Sequence, residues 1–457
     1  MEADTIAAIA TGLSAAGISI IRISGESAIE CADRIFRSKK KGFCLQKAKS
    51  HTIHYGYITD QEEIVDEVLL SVMRAPNSYT KENIVEINCH GGITVTKKIL
   101  DLICRTGARP AEPGEFTKRA FLNGRLDLSQ AEAVIDIINS KSEMALKNSV
   151  NQLRGRIYEK ISEMRKKILQ RTAFIEAALD DPEHISLDGF SEELLEDIIL
   201  LLDQLEKLIY SCDNGRMLRE GIKTVILGKP NVGKSSLLNL LLGEERAIVT
   251  DIAGTTRDTL EESVLVNGIA LNIVDTAGIR WTEDTVERIG VEKAKKAAAE
   301  ADLILYVVDS SAALDENDKE ILQLLSGRKA FILLNKSDLP TVIDEKFQDS
   351  PDHEIIRISA KNKSGLDELE RKITECFFSG GLSCSDELYI TNQRQKTALI
   401  EAEKSLVQVK ESIENGMPED FYSIDLMNAY MELGKIIGES VDEDLINKIF
   451  SDFCMGK

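Results

Sequence analysis

Paired cysteines are the first thing this sequence lacks. Its 457 residues include eight cysteines but no C-x-x-C pair, so no zinc ribbon or dithiol redox motif is written in it. Positive charge is scarce too. Lys and Arg number 56 against 77 Asp and Glu, a formal net charge of −21, which argues against a general polyanion-binding surface because phosphate backbones are held by Lys and Arg. Any nucleic-acid contact must be local or shared with a partner. No apolar run approaches the roughly 18 residues that span a bilayer, and the opening MEADTIAAIA has neither a basic n-region nor an Arg-rich transit composition. No internal repeat or low-complexity tract is visible. These absences predict a soluble protein of a reducing, cytoplasmic compartment with no membrane partner.

What the sequence does carry is an ordered set of phosphate and purine motifs. GKPNVGKS at residues 228–235 fits the G-x-x-x-x-G-K-S phosphate loop, in which glycines let backbone N–H groups close around phosphates while Lys234 adds a compact positive charge. Ser235 then offers its hydroxyl to Mg²⁺. The pattern sits between an apolar strand at residues 223–227 and an amphipathic helix beginning SSLLNLLLG, the context the motif requires. DTAG follows at 275–278, NKSD at 335–338 and SAK at 359–361. Asp338 selects the base, because a carboxylate accepts two hydrogen bonds from the N1–H and N2–H₂ edge that guanine presents and adenine lacks. Asn335 and Lys336 would hold that loop against the purine and the phosphate loop. NKSD alone reads as a turn after the strand KAFILL, but four motifs in order specify a guanine-nucleotide GTPase. Strand patterns at 264–274 (a hairpin turning at Asn267-Gly268), 303–309, 331–334 and 354–358 alternate with helical segments, as in a doubly wound sheet with ligand loops at its strand ends.

TDIAGTTRD at 250–258 reads as a switch in which Thr255 or Thr256 completes the Mg²⁺ shell; spacing does not choose between them. After DTAG, where many small GTPases carry a water-orienting Gln, stands Ile279. Something else must position the attacking water. Asn231, inside the phosphate loop, is equally a turn residue and a ligand whose carbonyl could bind a monovalent cation that neutralises transition-state charge as an arginine finger does. Glu287 reads by residue type as a solvated helix charge, with a water-orienting carboxylate as the sharper alternative.

The GTPase unit accounts for barely a third of the chain. Residues 1–118 mix strand patterns (GISIIRISG, DEVLLSVM, NIVEINCH) with a helical one at 93–104, which predicts a compact α/β domain. From Ser129, where Ser129 and Glu132 suggest a capping box, a Pro-free helical pattern runs to about residue 179. Helical patterns resume at 192–212, 388–415, 421–437 and 442–453. Helices on both sides of the GTPase unit predict one discontinuous helical domain, 119–215 and 380–457, into which a GTPase domain of 216–379 is inserted.

Several stretches together carry a family resemblance. GKPNVGKSS, TDIAGTTRD, DTAGIR with the later VERIGVEKA, EPGEFTKRAFLNGRLDLSQAEAVIDII at 112–138 and the terminal IFSDFCMGK resemble the MnmE (TrmE) family of tRNA uridine-modification GTPases, over nearly the whole chain. The resemblance implies a multidomain α/β and all-α fold: an N-terminal folate-binding-like domain, a discontinuous helical domain and an inserted Ras-like P-loop GTPase domain with a doubly wound sheet. It implies a homodimer joined through the N-terminal domains. It makes Asn231, Thr250, Ile252 and Thr255 ligands of K⁺, gives Mg²⁺ to Ser235 and Thr256, and makes Glu287 the water-orienting residue, with Asp275 a further catalytic candidate. GTP contacts fall on Asn231, Val232, Gly233, Lys234, Ser235 and Ser236. They continue through Thr250, Asp251, Ile252, Ala253, Gly254, Thr255 and Thr256, through Asp275, Thr276, Ala277 and Gly278, and through Asn335, Lys336, Asp338, Ser359, Ala360 and Lys361.

The same resemblance assigns Arg22, Glu82, Arg125 and Lys457 to a tetrahydrofolate derivative, 5,10-methylenetetrahydrofolate. Arg and Lys suit the cofactor's glutamate carboxylates, and a carboxylate suits the pterin N–H edge. Cys454 is by type a small packing residue, but the resemblance raises it to a catalytic thiol. An FAD-dependent partner, MnmG (GidA), in a heterotetramer, and tRNA bound mainly through that complex complete the implied set. The implied product is a carboxymethylaminomethyl-type group at C5 of the wobble uridine, U34. The rival readings are a ribosome-assembly GTPase, for which no basic RNA-binding module is apparent, and a non-catalytic nucleotide switch.

Overall fold

The computed structural model describes residues 4–246, 261–274, 295–343, 353–377, 388–451 and 453–456. The chain divides into two units, one of residues 1–138, 151–199 and 401–457 and one of 139–150 and 200–400. In chain order the first begins β1 (Ile6–Ile9), β2 (Ala16–Ser24), α1 (Ala28–Ile35), β3 (Phe36–Ser38), β4 (Thr52–Asp60), β5 (Glu63–Met73), β6 (Ile84–Gly91), α2 (Ile93–Arg105), β7 (Arg109–Pro110) and α3 (Glu115–Leu122). The strands form one sheet ordered β3-β4-β5-β6-β2-β1-β7, antiparallel except where β7 meets β1. Strand side chains alternate between faces. Ile21, Ile23, Leu70, Val72, Val85 and Ile87 therefore share a core with Ile29 of α1 and Ile99 and Ile103 of α2. Their neighbours, Arg22, Leu69 and Glu86, take the opposite face, where Ile6, Ala8, Ala111 and Phe116 cluster with Tyr79.

Four helices follow: α4 (Leu128–Ile138), α5 (Glu143–Leu153), α6 (Arg156–Asp180) and α7 (Phe190–Glu220). Two expectations need correction here. Asp127, not Ser129, opens α4: its Oδ1 accepts the Gln130 N–H at 3.1 Å while Gln130 Oε1 accepts the Asp127 N–H at 3.0 Å, the reciprocal box shifted two residues upstream. Ser129 and Glu132 are buried helix residues. The helical run is also broken, at 139–142 and at Gly155, whose left-handed φ of 88° no helix interior accepts.

The second unit holds β8 (Ile222–Leu227), α8 (Lys234–Arg246), β9 (Glu261–Val266), β10 (Ile269–Val274), β11 (Leu303–Asp309), α9 (Glu316–Leu325), β12 (Ala330–Asn335), β13 (Glu354–Arg357) and α10 (Leu366–Phe377). Its sheet runs β13-β12-β11-β8-β10-β9, parallel except for the β9–β10 hairpin. That hairpin turns at Asn267 and Gly268, with φ of 48° and 78°, a two-residue turn that requires positive φ. The order reverses at β8, so the loop leaving β8 lies at the topological switch point where doubly wound sheets bind ligands. α11 (Gln393–Glu414), α12 (Asp420–Ile437) and α13 (Glu443–Ser451) complete the chain. Phe450 and Phe453 bury themselves with Leu128, Ala131 and Ile135 of α4. The architecture is the multidomain α/β and all-α arrangement expected from the sequence.

Candidate functional site

The phosphate loop leaves β8 and ends at the first turn of α8, a helix N-terminus of the kind that suits an anion. Gly228 and Gly233 have φ of 148° and 102°, a region other side chains rarely enter, and Asn231 at 65° takes the left-handed conformation asparagine tolerates. Lys234 Nζ donates to the carbonyls of Gly228 at 2.7 Å and Lys229 at 2.6 Å, so the loop wraps its own ammonium group. Ser235 and Ser236 stand exposed in the first turn of α8.

Asn335, at the end of β12, ties the motifs together. Its Nδ2 donates to the Val232 carbonyl at 2.8 Å and its Oδ1 accepts the Ala360 N–H at 3.1 Å, with the residue only 2% exposed. One amide thus bridges the phosphate loop, NKSD and SAK. Ser359 Oγ donates to Asp338 Oδ1 at 2.6 Å and accepts the Asn362 N–H at 3.2 Å. That hydroxyl bond holds the exposed Asp338 carboxyl below the usual range, so it stays an acceptor for a purine N–H edge. Lys336 pairs with Asp309, at the end of β11, at 2.5 Å, and Lys361 is exposed beside Ser359. A cavity of about 320 Å³ opens beside the loop, bordered by Pro230, Asn231, Asp309 and Lys336. Thr250, Asp251, Ile252, Ala253, Gly254, Thr255, Thr256, Asp275, Thr276, Ala277, Gly278, Glu287 and Lys457 lie outside the described residues.

A second cluster forms in the first unit, on the face of its sheet away from α1 and α2. Arg22 Nε pairs with Glu86 at 2.8 Å, across the β2–β6 register, and Nη1 donates to the Gly456 carbonyl at 3.3 Å. Two guanidinium groups lie over the Tyr79 ring, Arg22 at 5.5 Å and Arg125 at 4.7 Å from its centroid. Glu82 accepts from Ser24 Oγ at 2.7 Å and from Arg119 at 3.3 Å. The terminal segment reaches this cluster on its own chain. Gly114 N–H donates to the Cys454 carbonyl at 3.4 Å, while Cys454 itself is exposed. Gly456 packs with left-handed φ of 83°, and a Cβ there would press 2.8 Å from Ala10 Cα.

Arg22, Glu82, Arg125 and the tail are thus brought to one place, whereas Tyr79, Glu86 and Arg119 belong to it without having been singled out. Glu86 had a readable signal, since NIVEINCH alternates. Its pairing with Arg22 depends on strand register, which sequence does not print. Tyr79 and Arg119 gave none beyond their type.

Comparison with known proteins gives the chain's family. Two family profiles match, "GTP-binding protein TrmE N-terminus" over residues 5–125 and "MnmE helical domain" over 128–454. The tRNA modification GTPase MnmE of Lachnoclostridium phytofermentans is 62% identical over 458 residues, covering 100% of both chains. The chain belongs to the MnmE family. The tRNA modification GTPase MnmE of Enterococcus faecalis is 50% identical, covering 100% of this chain and 99% of that one. Among solved structures, the G domain of the T. maritima FeoB iron transporter is 27% identical over 34% of this chain and 97% of that chain, with a TM-score of 0.27. The TrmE N-terminal match encloses Arg22, Glu82 and Arg125, and the MnmE helical match encloses Cys454. No helix among the described residues is long and apolar enough to cross a membrane.

Proposed function

We propose that this chain, a GTPase of the MnmE tRNA modification family, is a K⁺-dependent, cytoplasmic enzyme. With an FAD-dependent MnmG-type partner it adds a carboxymethylaminomethyl-type group to C5 of the wobble uridine, using a carbon from methylenetetrahydrofolate. The observation that carries this reading is full-length similarity to MnmE proteins combined with two separate built clusters, one for a guanine nucleotide and one suited to an aromatic, anionic ligand.

On the nucleotide side, Ser235 and Thr256 would hold Mg²⁺, while Asn231, Thr250, Ile252 and Thr255 would hold K⁺, the charge that replaces an arginine finger. Asp338 fixes the base and Lys234 leaves its loop carbonyls for the β- and γ-phosphates. Glu287, with Asp275 nearby in sequence order, would orient the attacking water.

The second cluster fits a folate by its donor set. The Arg125 guanidinium makes no ion pair among the described residues and lies against Tyr79, so it is available to a carboxylate. Tyr79, half-buried, can lie alongside a pterin, and Glu82, fixed by Ser24 and Arg119, offers an acceptor to its N–H edge. When bound, methylenetetrahydrofolate supplies an electrophilic one-carbon unit. The chain's own part is to orient it through Arg22, Arg125 and Lys457 and to present the Cys454 thiol as nucleophile or proton donor.

A homodimer is supported by the open part of the same sheet face. Tyr55 lies opposite Leu69 on β4 and β5, and both are exposed together with Ile53 and Ile18, an apolar area facing solvent in the single chain. The reading is tested by reconstitution. Purified chain, the FAD partner, GTP, KCl, methylenetetrahydrofolate, NADH and glycine, whose skeleton the carboxymethylamino group contains, are incubated with unmodified tRNA and its nucleosides measured by mass spectrometry. Absence of a modified uridine with every component active would overturn it.

A further inference from the structure

Lys229 fills an unspecified position of the phosphate-loop pattern and Asp318 lies outside every motif, yet the two form a buried charge pair in the nucleotide unit. Lys229 Nζ reaches Asp318 Oδ2 at 2.7 Å and Asp315 Oδ2 at 2.9 Å. Asp318 is 1% exposed. Its Oδ1 accepts the hydroxyl of Tyr306, a fully buried side chain of β11, at 2.7 Å, and its Oδ2 also accepts the Asp315 N–H at 2.9 Å in the capping box that opens α9. The carboxylate is therefore fixed from the sheet core and from its own helix before Lys229 arrives. A lysine bound to such an anchor gives up its side-chain freedom and fixes the backbone that carries it.

That backbone is the shoulder of the phosphate loop. The Lys229 carbonyl accepts from Lys234 Nζ, so the clamp acts on the same residue that cradles the phosphate-binding ammonium group. Pro230 follows with its ring-locked φ, then Asn231 in the left-handed conformation. Val232 is pinned by its carbonyl to Asn335. Four residues are thus held at both ends, Lys229 through α9 and Val232 through β12, with Asn231 between the two fixed points.

We propose that Lys229, anchored by Asp318 and Tyr306, is a positioning residue that sets the Pro230-Asn231 shoulder for the transition state of GTP hydrolysis. The proposal rests on the GTPase reading above and, for its cation arm alone, on the assignment of Asn231 to K⁺. An anchor of this kind acts on the geometry of transition-state groups more than on ground-state nucleotide binding, which the N–H groups of α8 and the base motifs supply.

The test uses the full chain, with kcat for GTP across a KCl titration and affinity for a fluorescent GDP analogue. Lys229→Met is expected to lower kcat about tenfold or more, within the range that a misplacement of order one ångström produces, with GDP affinity changed less than about threefold. Lys229→Arg should restore most of the rate. Because Lys229→Met strands a buried carboxylate, Lys229→Met/Asp318→Asn removes that burden, and it should be no slower than the single variant, since the two residues act as one unit. The KCl concentration for half-maximal rate should rise in both. An unchanged kcat in the folded double variant overturns the proposal, as does a GDP affinity that falls as far as kcat. Equal wild-type turnover in KCl and NaCl would remove the cation reading alone, and the split between kcat and GDP affinity would then decide the clamp by itself.

Discussion

Asn335→Ala is the sharpest probe of how the nucleotide site is held. The amide makes two hydrogen bonds that no other described residue duplicates, 2.8 Å to the Val232 carbonyl and 3.1 Å from the Ala360 N–H. Val232 is 3% exposed, so its orphaned carbonyl cannot hydrate in place, while Ala360 is only half-buried and its N–H can find water. One fully stranded group and one partly stranded group together cost about 2–4 kcal/mol. The loop avoids that cost by opening, and nucleotide binding must then close it again. GTP and GDP affinity should therefore fall by about 30-fold or more, the equivalent of about 2 kcal/mol. The assay is equilibrium binding of a fluorescent guanine nucleotide at saturating Mg²⁺, with circular dichroism to establish folding. Wild-type affinity in a folded Asn335→Ala chain would refute the claim that this amide couples the phosphate loop to the base motifs.

Asp338→Asn removes the double acceptor for guanine, so GTP affinity should drop and discrimination against xanthine nucleotides relax; competition binding with XTP reads both. Glu287→Ala should lower single-turnover hydrolysis strongly at nearly unchanged GTP affinity, and normal hydrolysis would return Glu287 to a solvated charge. Gly456→Val forces a β-branched residue into left-handed backbone against Ala10, so it should displace the carbonyl bound by Arg22, abolish uridine modification and spare GTP hydrolysis. Cys454→Ser should abolish modification likewise, and full modification by that variant would make Cys454 a bystander. Burial of Glu115 works to raise its carboxyl, but bonds from Arg109, the Glu112 N–H and Arg119 hold it below its ordinary 4.5, and Arg109, with Arg119, lowers Asp4. Depressed carboxylates stabilise above their unfolded pKa and lose that contribution as pH falls through the folded value. The first unit should therefore lose stability on acidification below about pH 4.5, and Glu115→Gln should flatten that limb in urea melts.

The strands of the nucleotide unit were legible because parallel strands buried on both faces read as continuous apolar runs; LILYVVD and AFILLN are buried nearly throughout. Its turns were legible where backbone chemistry demands a residue type, as at Asn267-Gly268. The helical region was harder. Ser129 has the look of a cap because S-x-x-E is a cap signature, but D-x-x-Q two residues earlier closes on the Gln130 and Asp127 N–H groups instead, and sequence alone does not say which box closes. The break at Gly155 is not legible in the pattern, because one glycine inside a helical run is often tolerated.

The two clusters differ in what their assembly requires, and this decides how each is read and how each can be damaged. The nucleotide site draws Lys234, Asn335, Asp338 and Ser359 from strand ends of one sheet in one continuous stretch, so its motifs keep their order and spacing in the sequence. The cluster in the first unit joins Asp4 to Arg119, Arg22 to Gly456 and Gly114 to Cys454, pairs separated by 115, 434 and 340 residues, the last from 454 − 114. No spacing rule reaches across such distances. What holds the tail there is burial of Phe450 and Phe453 against α4, and a phenylalanine truncated to alanine in a core costs about 3–5 kcal/mol. Phe453→Ala should therefore release Cys454 and Gly456 from the cluster while the phosphate loop, which shares none of these contacts, keeps its nucleotide. Loss of GTP binding in that variant would show that the two sites are not built independently.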